Sequence, residues 1–324
     1  MSFNEFNIFE LEIMAILLLP FVLAIVLSKV IINNASKLGA LDKPKGRKIH
    51  LTPIPSLGGL AVVGGICLGS LPFVQFEIHD TLLFTLACTL SLSIVGAYDD
   101  IKDISPSLRL IVEVMLVSVL VQFADLSIAP LFSPFGITEL NPWVDWILTC
   151  IFCVAMINAF NFMDGINGLA GGIFTINFIV LAICFFTCGD YELGVLSAIS
   201  ATATRGFLLF NFNKASIFLG DSGSIALGFL NVVLVLFLVD RTSIIKSNWF
   251  IFDSIAIASI LIIPTIDMIR VVVNRIRNGK SPMQGDKTHL HHLFLEKTNS
   301  HKKSTISILS FHVALILTLS LIHI

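Results

Sequence analysis

The length of its apolar runs limits what this chain can fold into more than any other feature. Ten stretches, roughly 11–32, 58–76, 81–98, 107–123, 143–160, 168–188, 193–210, 222–239, 250–273 and 304–324, each approach or exceed the length a helix needs to cross a hydrocarbon core. In lipid the backbone must pair within its own segment, so these runs are expected as helices. Charged residues make up 13% of the chain, about half of what a soluble domain carries. The reading is an all-α, polytopic helical membrane protein of about ten transmembrane helices, with residues 1–324 forming one integral-membrane domain. The acidic opening MSFNEFNIFELE lacks the basic start of a signal peptide, so Leu11–Ile32 reads as a retained first span.

Charge placement gives the orientation. With ten spans, alternate loops fall on opposite sides, and 18 of the 20 Lys and Arg residues collect on one side; Arg241 and Lys246 lie on the other. The first side is therefore expected in the cytoplasm and both termini outside. GxxxG spacings at Gly65–Gly69 and Gly168–Gly172 suggest close helix packing. Cys150 and Cys153 form a C-x-x-C inside an apolar run, where buried structural thiols are a better reading than a redox pair.

Four polar segments interrupt the apolar pattern, and all fall on the side expected to be cytoplasmic. The first is Asp99-Asp100-Ile-Lys-Asp103, whose adjacent carboxylates repel each other and persist near a membrane when a cation or proton offsets that repulsion. Taken alone it is also what a solvated helix cap looks like. The second, NAFNFMDGINGLAGG over Asn158–Gly172, repeats Asn158, Asn161, Asp164 and Asn167 every third residue. On a helix that spacing places oxygen ligands along one face. The blander alternative is hydrogen bonding between helices by buried Asn.

The third segment is Gly220-Asp221-Ser222-Gly223-Ser224, just before an apolar run. Free N–H groups at such a helix start can face an anion, and Asp221 can hold a divalent cation; an ordinary N-cap is the alternative. In the fourth, His289, His291 and His292 share a loop with Arg275, Arg277, Lys280 and Lys287. No Cys and no helical H-x₃-H spacing points to zinc, so phosphate or sugar binding suits the cluster better. Arg47, Lys48 and His50 offer one further anion contact, or are plain positive-inside charges. Acids for a metal, cations for phosphates and a membrane for a lipid together suggest phosphoryl transfer.

Five pieces in order, LDKPKGRKIH…PIPSLGG, GAYDDIKD, NAFNFMDGINGLAGG, FNFNKASIFLGDSGS and DKTHLHHL, cover Leu41 to Leu293. On these the chain resembles the polyprenyl-phosphate N-acetylhexosamine-1-phosphate transferase superfamily, in its WecA/TagO-like branch, with MraY a distant relative. The resemblance implies Mg²⁺, with Mn²⁺ as a substitute, held by Asp221, Asn161 and Asp164. It implies catalytic roles for Asp99, Asp100, Asp164, His291 and His292. Substrate binding would fall to Arg47, Lys48, His50, Asn158, Asn211, Arg275 and His289. Asn167 departs from the Asp of many relatives, and Lys214-Ala215 replaces their usual Pro-Ala.

The implied reaction moves GlcNAc-1-phosphate from UDP-GlcNAc to undecaprenyl phosphate and releases UMP, at the cytoplasmic face of a bacterial inner membrane. It would be the first lipid-linked step of cell-envelope polysaccharide synthesis. Another UDP-N-acetylhexosamine is the nearest alternative, and a cation-coupled transporter is the alternative from a different class. The expected partners are the two substrates and membrane lipid, with no nucleic acid; a homodimer is compatible with the sequence.

Overall fold

The computed structural model describes residues 3–42, 53–73, 80–137, 139–244, 249–279, 281 and 288–321. Eleven helices account for nearly all of them: α1 Phe3–Leu38, α2 Gly58–Ser70, α3 Asp80–Lys102, α4 Pro106–Phe123, α5 Pro142–Asn161, α6 Leu169–Cys188, α7 Tyr191–Asn211, α8 Asp221–Ile244, α9 Trp249–Arg277, α10 Leu290–Thr298 and α11 His301–Leu321. Each of the ten expected runs corresponds to a helix. Among the described residues, α1, α3 to α8 and α11 hold stretches long and apolar enough to cross a membrane. The fold is that of a multi-pass membrane protein. Of the remaining three, α2 has 13 residues and passes into a 3-10 turn at Leu71–Phe73, while α9 extends four residues past its expected end to Arg277. The unforeseen element is α10, for the His segment opens a short helix with His289 at its N-cap.

Helix ends follow local chemistry. Ser105 and Asn141 cap α4 and α5 and are each followed by Pro at the first helical position, where a missing N–H leaves no bond unmade. Asp190 caps α7 and also accepts from Nε of Arg241 at 2.8 Å, tying the α6–α7 corner to the far end of α8.

The axis of the bundle is α8. Its most apolar stretch is wholly buried, and α2, α3, α5, α6 and α9 pack around it. Such a helix reads as apolar on every side, which fits a core position. Its first turn is approached very closely by neighbours. A Cβ on Gly59 of α2 would strike the backbone of Gly223, and one on Gly96 of α3 would strike the carbonyl of Asp221. Gly65 and Gly69 set α2 against Pro20 and Ala24 of α1, as their spacing suggested. In the second pair, Gly168 stands at the N-cap of α6 with φ +76° and marks a turn, while Gly172 lies within α6 and lets Leu309 of α11 pack closely, as the spacing suggested. Cys150 and Cys153 are buried free thiols of α5.

Candidate active site

The four polar segments meet at one end of the bundle. Residues Ser216–Gly220 run beside the segment that enters α2: Phe218 N–H donates to Pro55 O at 2.7 Å, and Gly58 and Gly59 N–H donate to Phe218 O and Leu219 O at 2.9 and 2.8 Å. Pro55 itself belongs to a two-residue strand, β2 Ile54–Pro55, antiparallel to β1 Leu41–Asp42. This fixes Gly220, whose φ of +71° turns the chain into α8. No side chain fits there, because a Cβ would meet Ser56 O and the Asp100 carboxylate.

Asp100, on the last turn of α3, caps α8 from outside. Its Oδ1 and Oδ2 accept from the N–H groups of Asp221 and Ser222, each at 3.1 Å. A carboxylate there meets both the orphan donors and the positive end of the helix dipole. Its neighbour Asp99 accepts from Ile104 N–H at 2.9 Å through Oδ1 and from Arg109 Nη1 at 3.2 Å through Oδ2. Arg109 also pairs with Asp221, and its Nε lies 3.5 Å from Glu113 on the next turn of α4. One guanidinium thus links the ends of α3, α4 and α8. Neither Arg109 nor Glu113 was singled out as a site residue from the sequence.

The Asn/Asp segment contributes from α5 and from the turns after it. The helix ends at Asn161, so the three-residue spacing does not make one helical face; Asp164 and Asn167 lie in the turns before α6. Asn161 Oδ1 accepts from Ser224 Oγ at 3.2 Å, and Asp164 Oδ2 accepts from Gly220 N–H at 3.2 Å. Burial, then the charges of Asp221 and Asp100, hold the Asp164 carboxyl well above the usual carboxylate range; the Gly220 N–H opposes them. Asn158 lies a turn deeper and donates to Glu113 Oε2 at 2.7 Å. Asn211 is engaged by backbone on both sides, accepting from Gly168 N–H at 2.6 Å and donating to Ile217 O at 2.8 Å.

The His segment docks beneath the same turns. Asp267 of α9 accepts from Arg270 at 2.9 Å and Leu290 N–H at 2.7 Å, and its other oxygen lies 2.9 Å from Nδ1 of His289. Arg275 is buried, with one nitrogen 3.5 Å from His289 Nε2. His289 and His291 stack almost parallel, and His289 leans on Phe162. The His291 ring fills the space a side chain at Gly165 would take, beside Asp164. Burial and the neighbouring His292 and His289 push His291 down to about 3, leaving a neutral ring whose Nδ1 is buried without a hydrogen bond. His292 packs on His291 at 4.3 Å between ring centres. Arg47, Lys48 and His50, like Lys280 and Lys287, lie outside the described residues.

The donors suit a hard divalent cation. Asp100, Asp164 and Asp221 interact across the entry to α8, with Asn161 beside them, and Arg109 is the cation that meets Asp221. Among the described residues no three His, Cys, Asp or Glu side chains form a ready-made metal cage. That is compatible with Mg²⁺, which commonly takes one or two carboxylates and completes its shell with water and substrate phosphate.

Comparison with known proteins follows the same outline. The family model described as "Glycosyl transferase family 4" matches residues 82–239. The chain is 33% identical over 267 residues to an undecaprenyl-phosphate alpha-N-acetylglucosaminyl 1-phosphate transferase of Yersinia pestis, covering 81% of this chain and 71% of that one. The protein of the same name in Escherichia coli K12 is 32% identical, with 81% and 70% covered. A decaprenyl-phosphate N-acetylglucosaminephosphotransferase of Mycobacterium tuberculosis is 31% identical over 297 residues, with 83% and 72% covered. The chain belongs to the polyprenyl-phosphate N-acetylhexosamine-1-phosphate transferase superfamily.

Proposed function

We propose that the protein transfers GlcNAc-1-phosphate from UDP-GlcNAc to undecaprenyl phosphate, giving undecaprenyl-diphosphate-GlcNAc and UMP, at the cytoplasmic face of a bacterial inner membrane. The observation that carries this is the convergence of Asp99, Asp100, Asp164 and Asp221 around the entry to α8, with Arg109 among them. The choice of sugar is supported by the relatives, which are named for N-acetylglucosamine. The choice of face is supported by the excess of Lys and Arg on that side of the chain.

An oxygen of the lipid phosphate attacks the β-phosphorus of the sugar nucleotide. The new bond joins lipid oxygen to that phosphorus, and the bond to the bridging oxygen breaks, so the electron pair leaves with UMP. A phosphate monoester has a second pKa of about 6 and is largely a dianion at neutral pH, so it needs placement more than deprotonation. Asp221, with Asn161 or Asp164, would hold Mg²⁺, which when bound supplies neutralisation of diphosphate charge. Asp100 fixes the entry to α8 by capping it, and Asp99 anchors Arg109. Arg109 is placed to exchange a carboxylate for a phosphate oxygen as the leaving group gains charge. His289 and His291 pack on the Phe162–Gly165 turn, with Arg275 behind His289, so they would position that turn and Asp164 for the sugar or phosphate.

The test is an assay of membranes with Mg²⁺, undecaprenyl phosphate and a panel of UDP-sugars, with the lipid product identified by mass. UDP-GlcNAc should yield the diphosphate-linked product with UMP. Asp221→Asn should abolish turnover in membranes holding equal amounts of folded protein. Activity near wild type in that variant would remove Asp221 from the metal site, and transport without UMP release would overturn the reading.

A further inference from the structure

Away from the carboxylate cluster, a groove of about 240 Å³ runs between α1, α6 and α7, and it ends on a charge. Its walls are apolar, with Ala182, Ala198 and Ala201 leaving room where larger side chains would close it. The two threonines that face it are satisfied within their own helices: Thr175 donates to Gly171 O at 2.8 Å and Thr202 to Ala198 O at 3.1 Å. Arg205 is the exception. It is exposed, forms no hydrogen bond or ion pair among the described residues, and lies six residues inside the end of α7 at Asn211, a rise of about 9 Å.

An arginine at that depth on an apolar face implies a partner, because its charge is poorly solvated there. We propose that this groove is a binding site for an anionic glycerophospholipid of the surrounding bilayer, with the lipid phosphate on Arg205 and an acyl chain along Ala201, Ala198 and Ala182. Two observations select this occupant. The guanidinium is complementary to a phosphate and offers several donors to it. The rim is open to lipid, with Leu17 45%, Ile179 45% and Ile183 52% exposed, so the occupant arrives sideways from the membrane. None of the residues proposed to bind the sugar nucleotide lines the groove.

The test uses the full chain in nanodiscs of phosphatidylcholine, alone or with phosphatidylglycerol at three to one. Retained lipid is counted by native mass spectrometry after delipidation. Wild type should keep one phosphatidylglycerol. Arg205→Leu should weaken retention by at least about tenfold, the loss of one charge-assisted contact, while Arg205→Lys keeps most of it. Ala201→Phe, which fills the groove but leaves the charge, should also lose the lipid, and it carries the test if Arg205→Leu does not fold. An unchanged apparent unfolding midpoint in pure phosphatidylcholine shows that each variant is intact. Equal retention in folded Arg205→Leu or Ala201→Phe overturns the proposal. So does displacement of the bound phosphatidylglycerol by equimolar polyprenyl phosphate, which would assign the groove to the acceptor.

Discussion

Arg109 meets Asp99 from α3 and Asp221 from α8, while Glu113 lies behind its Nε and is itself held by Asn158. Removing a preorganised donor of this kind lowers turnover by about 100-fold or more. Arg109→Ala should do so, with Arg109→Lys between it and wild type. Glu113→Gln keeps the shape but removes the charge that backs the guanidinium. It should lower kcat by about tenfold with a smaller change in KM for the UDP-sugar, since a misaimed cation fails mainly as charge develops. Steady-state kinetics at matched protein levels check both, and an unaltered kcat in Glu113→Gln would leave that carboxylate a packing role. The sequence made the acidic pair legible because adjacent carboxylates after an apolar run need an explanation. It hid Arg109, which resembles any positive-inside charge, and its meeting with Asp221 spans 112 residues.

At the scale of elements, glycine decides how closely helices approach and histidine decides where α10 docks. Gly59→Ala places a methyl group against the backbone of Gly223, where neither chain can turn a side chain aside. Overpacking of this kind costs about 1–3 kcal/mol or more, so the variant should unfold earlier and lose activity in proportion. A thermal scan in detergent reads this directly. For α10, the neutral His291 sets an acid limit. Its folded pKa, pushed down to about 3, lies below the ordinary value of 6.5, so the unfolded chain takes up the proton first. The stability it contributes is whole above about pH 6.5 and is lost as pH falls toward the folded value. Between about pH 7 and about pH 5 the unfolding midpoint of His291→Gln should therefore fall less than that of wild type. Identical slopes would mean that another group sets the acid limit. The sequence showed the three histidines but not the helix they begin, because α10 takes its place from Asp267 through bonds to His289 and Leu290. The three-residue Asn/Asp repeat likewise suggested one helical face, whereas the helix ends at Asn161 and the chain runs through turns to Gly168, whose positive φ opens α6.

At the scale of the whole molecule, the apolar runs were enough to show a helical membrane bundle, because run length and burial share one cause. They did not show which helix is central. The run that becomes α8 looks like its neighbours in sequence, and its position follows from packing against α2, α3, α5, α6 and α9. That arrangement places the entry to α8 where carboxylates from α3 and from the turn after α5 also arrive, so a cation bound there would tie three parts of the bundle together. A ligand that binds only the folded state stabilises it by about 2.7 kcal/mol at a hundredfold excess over its dissociation constant, or roughly 5 °C for a chain of this size. Mg²⁺ should raise the apparent unfolding midpoint of the protein by about that much without any substrate. The rise should shrink in Asp164→Asn and in Asp221→Asn, and remain whole in Asp240→Asn near the opposite end of α8. An equal rise in all three variants would show the ion acting elsewhere. Separate loss in the first two would tie the metal to the junction on which the proposed chemistry depends.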